Sequence, residues 1–368
     1  MTGPRYTPLV QSLPASVPFV GPESQERAHG KRFAARIGAN ESVFGPSPRV
    51  IEAIASAAHD AWMYGDPEVF ELRQALAQHH DIAMENIVVG EGIDGLLSYL
   101  VRMLVEPGDA VVTSDGAYPT FNFHVSGFGG VLHKTAYLGD YEDPQALLFK
   151  ARETGAKLIY LANPDNPMGS WHSADVLQQM INDVPEGCVL VLDEAYCDTA
   201  PADAIPLLDM TARNVIRMRT FSKAYGLAGL RVGYALGAPD LINGFNKVRN
   251  HFGLGRVSQI AALTALQDQE YLIQTVDRIK VARQRLTEIA AKNSLQALPS
   301  ATNFVTIDCG RDGTFARAVL ASLIAQGVFV RMPFAPPQDR CIRVSCAPEA
   351  DLEIFARALP KALAQAAS

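Results

Sequence analysis

The sequence predicts an α/β protein whose larger part has a mostly parallel sheet covered by helices and whose C-terminal part is a smaller α+β domain. In the larger part, short and nearly continuous apolar segments alternate with helical segments such as 174–182. Strands that are apolar along their whole length are typical of a parallel sheet buried on both faces. The predicted strands of this sheet, in order along the chain, are 86–90, 110–113, 158–162, 189–193, 215–219 and 232–236.

Two helices are predicted ahead of the first of these strands. Ser47 followed by Pro48 is typical of a capped helix start, and Leu72 and Leu76 lie on the inner face of a second helix. Upstream, residues 1–36 contain several prolines, so they are predicted to form an irregular arm laid over the surface.

The C-terminal part has a different pattern. One long helix is predicted over 259–292, and shorter strands then alternate with helices, which indicates a separate α+β domain. The predicted strands and helices after the long helix are 303–307, 314–326, 328–331, 341–345 and 349–365. The predicted organisation is an arm that joins the small domain (1–45), a large domain (46–265) and a small domain (266–368).

Composition is that of an ordinary globular protein. The 368 residues are 48% hydrophobic and 19% charged, and 32 basic against 39 acidic residues give a net charge of −7. The negative charge argues against nucleic acid as the main partner, and no apolar run is long enough to span a bilayer. The start of the chain lacks the pattern of a signal peptide, and five cysteines without CxxC spacing favour a reducing cytoplasm. No His or Cys spacing indicates a metal site.

The most informative segment runs from Thr220 to Arg231, between two predicted strands. Lys223 follows Ser222 on a connection at a strand end, where sheet proteins place their chemistry. A lysine there forms a Schiff base when its surroundings favour the neutral amine. Thr220, Ser222 and Arg231 are donors suited to a phosphate. A ligand with both an aldehyde and a phosphate is pyridoxal 5′-phosphate (PLP), although a lysine and an arginine on a glycine-rich turn also occur as solvated side chains.

A glycine turn supplies a second candidate for phosphate binding. The segment 90–95 passes from a strand into a helix, with Gly92 and Ile93 at the turn. A helix N-terminus after such a turn offers free amides and a favourable dipole to an anion. A simple tight turn is the alternative.

Other strand ends carry side chains that suit the ring of such a ligand. Asp193 follows an apolar strand, where a carboxylate needs a cationic partner such as a protonated pyridine nitrogen. Tyr196 and Asn166 are candidates for hydrogen bonds to the ring's phenolic oxygen, and Tyr118 is a candidate for stacking on its face. Each alone is more often a structural residue, such as a turn residue, but together they predict a cofactor site.

Taken in order, these segments resemble those of the fold-type I PLP aminotransferases of class I/II, and most closely the histidinol-phosphate aminotransferase group. The resemblance extends from about residue 37 to the end of the chain. The motifs that carry it are NESVFGPSP at 40–48, YGDP at 64–67, NPDNPMG at 163–169, DEAY at 193–196, SKAYGLAGLR at 222–231 and IRVS at 342–345. The segment 90–95 departs from the group's GNGSDE, because Ile93 replaces a serine.

The resemblance implies a role for each candidate residue. Lys223 would hold PLP as a Schiff base and later move a proton, Asp193 would pair with the ring nitrogen, and Arg343 would bind the substrate α-carboxylate. A homodimer is implied as well, in which Tyr64 reaches the phosphate of the partner's cofactor. The residues implied to hold the phosphate within one chain are Gly92, Ile93, Thr220, Ser222 and Arg231. Tyr196 and Asn166 would meet the phenolic oxygen, and Tyr118 would stack on the ring.

The expected substrates are an L-amino acid, or an amino phosphate such as histidinol phosphate, and a 2-oxo acid. Arg331 matches an arginine that the group uses for the substrate phosphate, whereas Phe19 replaces a tyrosine used for the same phosphate. These two positions therefore point in opposite directions. Asn40 is assigned to the substrate site, and Arg256 is expected on a loop near the partner's site, with an exposed arginine as the alternative.

The predicted activity is transfer of an amino group by a ping-pong mechanism. A PLP-dependent decarboxylase acting on an amino-acid phosphate, similar to threonine-phosphate decarboxylase, would share nearly all of these residues. A non-catalytic PLP-binding regulator is a further alternative, although no helix-turn-helix pattern precedes the enzyme-like part.

Overall fold

The computed structural model describes residues 3–15 and 20–368 and has the predicted α/β architecture. The strands are β1 (Ala35–Arg36), β2 (Ile87–Gly90), β3 (Ala110–Ser114), β4 (Val131–Thr135), β5 (Leu158–Ala162), β6 (Val189–Asp193), β7 (Val215–Thr220), β8 (Gly233–Gly237), β9 (Gln296–Ala297), β10 (Phe304–Asp308), β11 (Val328–Phe329) and β12 (Cys341–Ser345). The α-helices are α1 (Pro8–Ser12), α2 (Pro22–His29), α3 (Pro48–Ala57), α4 (Phe70–His80), α5 (Gly92–Leu104), α6 (Pro119–Gly127), α7 (Pro144–Thr154), α8 (Ala174–Asp183), α9 (Pro239–Gly244), α10 (Arg256–Gln267), α11 (Gln269–Lys292), α12 (Gly313–Ala325) and α13 (Glu349–Ala367).

A seven-stranded sheet forms the centre of the larger part, in the order β2-β8-β7-β6-β5-β3-β4. Strand β8 runs antiparallel to both of its neighbours, and the other pairs are parallel. The side chains of β5, β6 and β7 are almost all buried, as expected for strands covered on both faces. The carboxyl ends of these parallel strands lie side by side at one edge of the sheet, which is where such sheets bind ligands.

The helices that cover this sheet begin at side-chain caps. Ser47 before α3, Asp143 before α7 and Ser173 before α8 each accept a hydrogen bond from a backbone amide of the first turn. Helix α7 then ends at Gly155, whose φ of 64° favours glycine. These local signals fix where the chain leaves a helix and turns toward the next strand.

The C-terminal part has its own sheet and its own hydrophobic core. Strands β9, β10 and β12 form an antiparallel sheet against which α11 and α12 pack, and β1 of the arm pairs in parallel with β11. Ala35 and Ile37 of the arm belong to the same core as Ile307, whereas the large sheet has separate cores. This separation supports the division that we propose, an arm that joins the small domain (1–45), a large domain (46–265) and a small domain (266–368).

Two predictions of local structure were wrong. The arm is not irregular throughout, because it contains α1 and α2, in which Pro8 and Pro22 occupy the first helical position. Proline is compatible with a helix there, since its missing amide would have no partner in the helix. The single helix predicted over 259–292 is two helices, α10 and α11, which are separated at Asp268, where φ is −102° and ψ is 62°.

Strand β4 and helices α6 and α7 had no predicted counterpart. Strand β4 lies at the edge of the large sheet, and most of its side chains, including His133 and Lys134, are at least partly exposed. An edge strand of this kind lacks the continuous apolar run by which the buried strands were recognised.

Two structural features are absent among residues 3–15 and 20–368. No helix there is both long and apolar enough to cross a membrane. The same residues contain no group of three or more His, Cys, Asp or Glu side chains arranged to hold a metal ion.

Candidate active site

A cavity of about 320 Å³ lies at the carboxyl edge of the large sheet, where this edge faces the small domain. Its walls come from the ends of β5, β6 and β7, the first turn of α5, strand β12 and the segment that follows β1. The predicted site residues that line it are Asn40, Ile93, Tyr118, Asn166, Asp193, Tyr196, Thr220, Ser222, Lys223, Arg231, Arg331 and Arg343. Segments far apart in sequence thus converge on one cavity.

Lys223 lies just after β7, and its side chain reaches into this cavity. Its Nζ donates a hydrogen bond of 3.2 Å to the carbonyl oxygen of Asn40 and lies 5.5 Å from the centre of the Tyr196 ring. Burial lowers the pKa of Lys223 to about 8, and the positive charges of Arg343 and Arg231 act in the same direction. A substantial fraction of the amine is therefore neutral near physiological pH, which is the form that attacks an aldehyde.

Asn40 connects the lysine to both domains. Its φ of 57° is in the left-handed region, which asparagine tolerates better than most residues. The backbone in this conformation is held by two hydrogen bonds: the Asn40 amide donates to the Ser345 hydroxyl at 3.1 Å, and the Asn303 side chain donates to the Asn40 carbonyl oxygen at 3.0 Å. Its side-chain amide donates to the Tyr196 hydroxyl at 3.2 Å. The Tyr196 hydroxyl keeps its own proton for another acceptor.

Asp193, the last residue of β6, is buried at the floor of the cavity. Its Oδ2 accepts a hydrogen bond of 2.6 Å from the Tyr160 hydroxyl, and its Oδ1 accepts one of 2.9 Å from the amide of Ala195. Burial raises the pKa of Asp193, while these two hydrogen bonds and the nearby Lys223 oppose the rise. A buried carboxylate in this position is well placed to hold a cationic ring nitrogen.

Most of the predicted phosphate-binding residues contact one another close to the start of α5. The Thr220 hydroxyl donates to the Ser222 hydroxyl at 2.9 Å, and Arg231 Nη1 is 3.5 Å from the same oxygen. Gly92 begins α5 with a φ of 75°, and a Cβ at this position would lie 2.5 Å from Arg231 Nη2. Only glycine lets the guanidinium lie against the start of α5, so the cation and the first-turn amides, including that of Ile93, meet at one place.

Two arginines occupy the end of the cavity that faces the small domain. The backbones of Arg331 and Arg343 are paired in an antiparallel bridge, with N–O distances of 3.2 and 2.6 Å. Arg343 donates to the side-chain oxygen of Asn166, and its Nε is buried without a partner among the described residues. Arg331 donates to the carbonyl oxygen of Val20 at 3.0 Å. Burial lowers the pKa of Arg343 to about 10, so this guanidinium would gain from an anionic ligand.

Three predicted residues do not line the cavity of their own chain, and a fourth cannot be placed. Gly92 lies next to the guanidinium of Arg231. Tyr64 is 78% exposed, and Arg256, the first residue of α10, donates to the carbonyl oxygen of Tyr64 at 3.3 Å. Their predicted roles in a partner's site remain predictions. Phe19 lies outside the described residues.

Among the polar or charged side chains that line the cavity, sequence reasoning missed Tyr160, Glu41 and Asp94. Tyr160 was treated as one apolar member of strand β5, although a fully buried tyrosine needs a partner for its hydroxyl, and this signal was available. Glu41 was part of a recognised motif but received no role. It is 3.2 Å from Arg36, and this ion pair joins two parts of the arm.

The residues of the cavity fit PLP at each of its reactive groups. Lys223 offers an amine of lowered pKa for the aldehyde, and buried Asp193 offers a carboxylate for the ring nitrogen. The hydroxyls of Thr220 and Ser222, together with Arg231, offer donors for the phosphate. They lie beside Gly92, where a Cβ would clash with the Arg231 guanidinium.

Comparison with known proteins agrees with this fit. The sequence profile of the family described as aminotransferase class I and II matches residues 35–359. The histidinol-phosphate aminotransferase of Moorella thermoacetica is 31% identical over 99% of this chain and 94% of its own length. Histidinol-phosphate aminotransferase 1 of Nitrosococcus oceani is 33% identical over 96% of this chain and 95% of its own length. The crystal structure of histidinol-phosphate aminotransferase from Sinorhizobium meliloti, in complex with pyridoxal-5′-phosphate, matches with a TM-score of 0.96 and 52% identity, covering 99% of this chain and 98% of that chain.

Fold, site and relatives together define a PLP-dependent aminotransferase that acts on small molecules. The chain belongs to the aminotransferase class I and II family. The predicted fold, cofactor and enzyme class are confirmed, and the alternatives of a decarboxylase and of a non-catalytic regulator are not favoured.

Proposed function

We propose that this aminotransferase takes an amino group from histidinol phosphate, a donor that carries an anionic phosphate, and passes it to a 2-oxo acid in a ping-pong reaction. The observation that carries the proposal is the pair of guanidinium groups, Arg331 and Arg343, at one end of the cavity. Paired guanidinium groups favour carboxylate and phosphate ligands over apolar ones. The names of the relatives in Moorella thermoacetica and Sinorhizobium meliloti supply the particular donor.

Lys223 is proposed to bond covalently to the aldehyde carbon of the cofactor and, when its amine is free, to carry a proton between the substrate's α-carbon and the neighbouring cofactor carbon. Its lowered pKa suits both tasks, because the neutral amine is the nucleophile and also the base. PLP, when bound, supplies the ring that draws electrons away from the α-carbon. Asp193 is proposed to keep that ring cationic by pairing with its nitrogen.

The polar side chains around the ring are already oriented by protein partners. Because the Tyr196 hydroxyl accepts from Asn40, its own proton is available for the phenolic oxygen of the cofactor. Because the side-chain oxygen of Asn166 accepts from Arg343, its NH₂ group is available for the same oxygen. We assign Tyr118, which also lines the cavity, to the face of the ring.

Binding of the anionic groups is divided between the two ends of the cavity. The cofactor phosphate is assigned to Thr220, Ser222 and Arg231, with the amides of Gly92 and Ile93 at the start of α5. Arg343 is assigned to the α-carboxylate of amino-acid and 2-oxo-acid substrates, since its unpartnered Nε adds a donor for a two-point contact. Arg331 and Asn40 are assigned to the remainder of the substrate.

A homodimer with shared active sites is also proposed. Trp62 and Tyr64 are 81% and 78% exposed, and the ring of Tyr64 lies 5.1 Å from that of Phe252, which is itself exposed. Clustered exposed aromatic side chains are typical of a protein–protein interface. In a dimer formed through this surface, Tyr64 and Arg256 of one subunit would face the partner's cavity.

A cytoplasmic location is the last part of the proposal. It is supported by the five cysteines, which are free thiols and of which Cys188, Cys309, Cys341 and Cys346 are buried. Free thiols are typical of a reducing compartment.

The substrate proposal is tested by half-reactions of the holoenzyme with histidinol phosphate, histidinol and leucine, followed by the cofactor's absorbance. Histidinol phosphate should react with the highest kcat/KM, and Arg331→Gln should lower that value by roughly tenfold to a hundredfold, because a charge-assisted contact is lost. Arg317→Gln is the matched control, since Arg317 is an exposed arginine of α12 that is paired with Asp339 away from the cavity. Equal rates for histidinol and histidinol phosphate would refute the assignment of the anionic end.

A further inference from the structure

Tyr160 is a buried side chain that none of the proposed steps uses, although it contacts Asp193 directly. It lies in β5, the strand adjacent to β6, and its hydroxyl donates a hydrogen bond of 2.6 Å to Asp193 Oδ2. Within the part of the chain that the structure describes, the other hydrogen bond to this carboxylate comes from the amide of Ala195, 2.9 Å from Oδ1. Each carboxylate oxygen is thus fixed by one protein donor, and lone pairs remain free to face the cavity.

The hydroxyl of Tyr160 is itself held in place by packing. Its ring is fully buried and stacks on Phe121 of α6, with ring centres 4.8 Å apart and an angle of 18° between the planes. Phe121 is also fully buried. Because both rings are enclosed, Tyr160 has little freedom to turn its hydroxyl away from Asp193.

The electrostatic surroundings of Asp193 give this contact a chemical consequence. Besides Tyr160, several titratable groups interact electrostatically with Asp193. They include Lys223, Glu194, Glu142, Tyr118 and Tyr196. Burial and the negative charge of Glu194 favour the protonated form of Asp193, whereas the Tyr160 hydroxyl and Lys223 favour the carboxylate. In the holoenzyme Lys223 is proposed to be bonded to the cofactor, whereas the Tyr160 hydroxyl would still donate directly to the Asp193 carboxylate.

We propose that Tyr160 is a positioning residue for amino transfer, whose hydroxyl keeps Asp193 ionised and turned toward the ring nitrogen of the cofactor. The inference rests on the proposed role of Asp193. It assigns Tyr160 no contact with the reacting atoms, because the hydroxyl acts through the carboxylate.

The test compares Tyr160→Phe, Asp193→Asn and the double variant as holoenzymes. Tyr160→Phe keeps the ring and its stacking on Phe121, and it should lower kcat of the donor half-reaction by roughly tenfold to a hundredfold, the range for one hydrogen bond to a charged group. In the Asp193→Asn background the same substitution should have little further effect, since Tyr160 acts through that carboxylate.

A spectroscopic titration distinguishes this role from a merely structural one. Tyr160→Phe should raise the pKa of the cofactor's absorbance transition, because a less cationic ring holds the proton on the lysine linkage more strongly. Tyr234→Phe is the matched control: Tyr234 is also buried and its hydroxyl is bonded to His80, at 3.0 Å, so its loss should leave the transition unchanged. If Tyr160→Phe does not fold, Phe121→Leu, which loosens the stacking only, should move the transition in the same direction by less.

The outcomes separate the inference from the proposed function on which it rests. An unchanged kcat and transition in Tyr160→Phe, or equal losses from Tyr160→Phe with and without Asp193→Asn, would overturn the role of Tyr160. An unchanged rate in Asp193→Asn alone would instead remove the role of Asp193.

Discussion

The two ends of the cavity are built in different ways. At the proposed cofactor end, Asp193, Ser222 and Lys223 lie at or just beyond the carboxyl ends of β6 and β7, two neighbouring strands of one sheet. At the substrate end, Arg343 and Arg331 come from the small domain, and they bond to Asn166 of the large domain and to Val20 of the arm. One end is set by a single rigid sheet, and the other is assembled from three parts of the chain.

Because of this difference, some substitutions should affect every amino donor and others should affect only some donors. A change at the cofactor end alters a step that every donor shares, so all substrates should be affected alike. A change at the substrate end alters only the contacts of the group that it reads. The expected effects therefore decrease from Lys223 at the proposed cofactor end to Arg256 at the start of α10.

Lys223→Ala should abolish transfer for every donor, with a loss on the order of 10⁴-fold or more, since acid–base catalysis alone contributes ~10²–10⁴ and the covalent attachment is also lost. The measurement is donor turnover together with the absorbance of the lysine-bound cofactor. Circular dichroism checks that the variant remains folded. A variant that turned over at the parent rate would refute the site as a whole.

Asp193→Asn should retain the cofactor but lower kcat by about a hundredfold for all donors, because a neutral amide does not hold the ring nitrogen's proton. Cofactor content and half-reaction rates measure the two effects separately. A loss limited to anionic donors would contradict the placement of Asp193 at the shared end of the cavity.

Arg343→Lys should raise KM for the 2-oxo acid by about tenfold to a hundredfold, since a lysine keeps the charge but not the planar fork of donors. Binding of the cofactor should be unchanged. The measurement compares KM for the 2-oxo acid with the dissociation constant of PLP. An increase of the same size in both constants would contradict the assignment of Arg343 to the substrate end.

The same distinction explains what the sequence could and could not predict. The placement of Lys223, Asp193 and Arg231 around one cavity was predictable because strand ends and glycine turns have local sequence patterns. The bond between Lys223 and the carbonyl oxygen of Asn40 was not, because it depends on a left-handed backbone at Asn40 and on residues that are 183 positions apart. Nor does any local pattern show that Tyr160 of one strand bonds to Asp193 of the next, since this depends on strand order and register.

The fold shows the same limit. The buried strands β5 and β6 were predicted with their observed bounds, because parallel strands in the interior are apolar throughout. Edge strand β4 was not predicted, because an edge strand lacks a continuous apolar run. Helices α1 and α2 were not predicted, because the proline at the first helical position of each was interpreted as a helix breaker.

Arg256→Ala is the smallest of the expected effects and the one that extends the comparison to a second subunit. In its own chain Arg256 contacts the carbonyl oxygen of Tyr64, outside the cavity, so the residue can reach a substrate only through the proposed dimer. A contact of this kind at the edge of a site should lower kcat/KM for an anionic donor by roughly twofold to tenfold, the range for an ordinary hydrogen bond, and should leave leucine unaffected. Both donors are measured in the parent and in the variant, with sedimentation to confirm that each remains a dimer. An equal change for both donors, or none for either, would remove Arg256 from the site. Arg331 would then remain as the residue proposed to bind the anionic group of the donor.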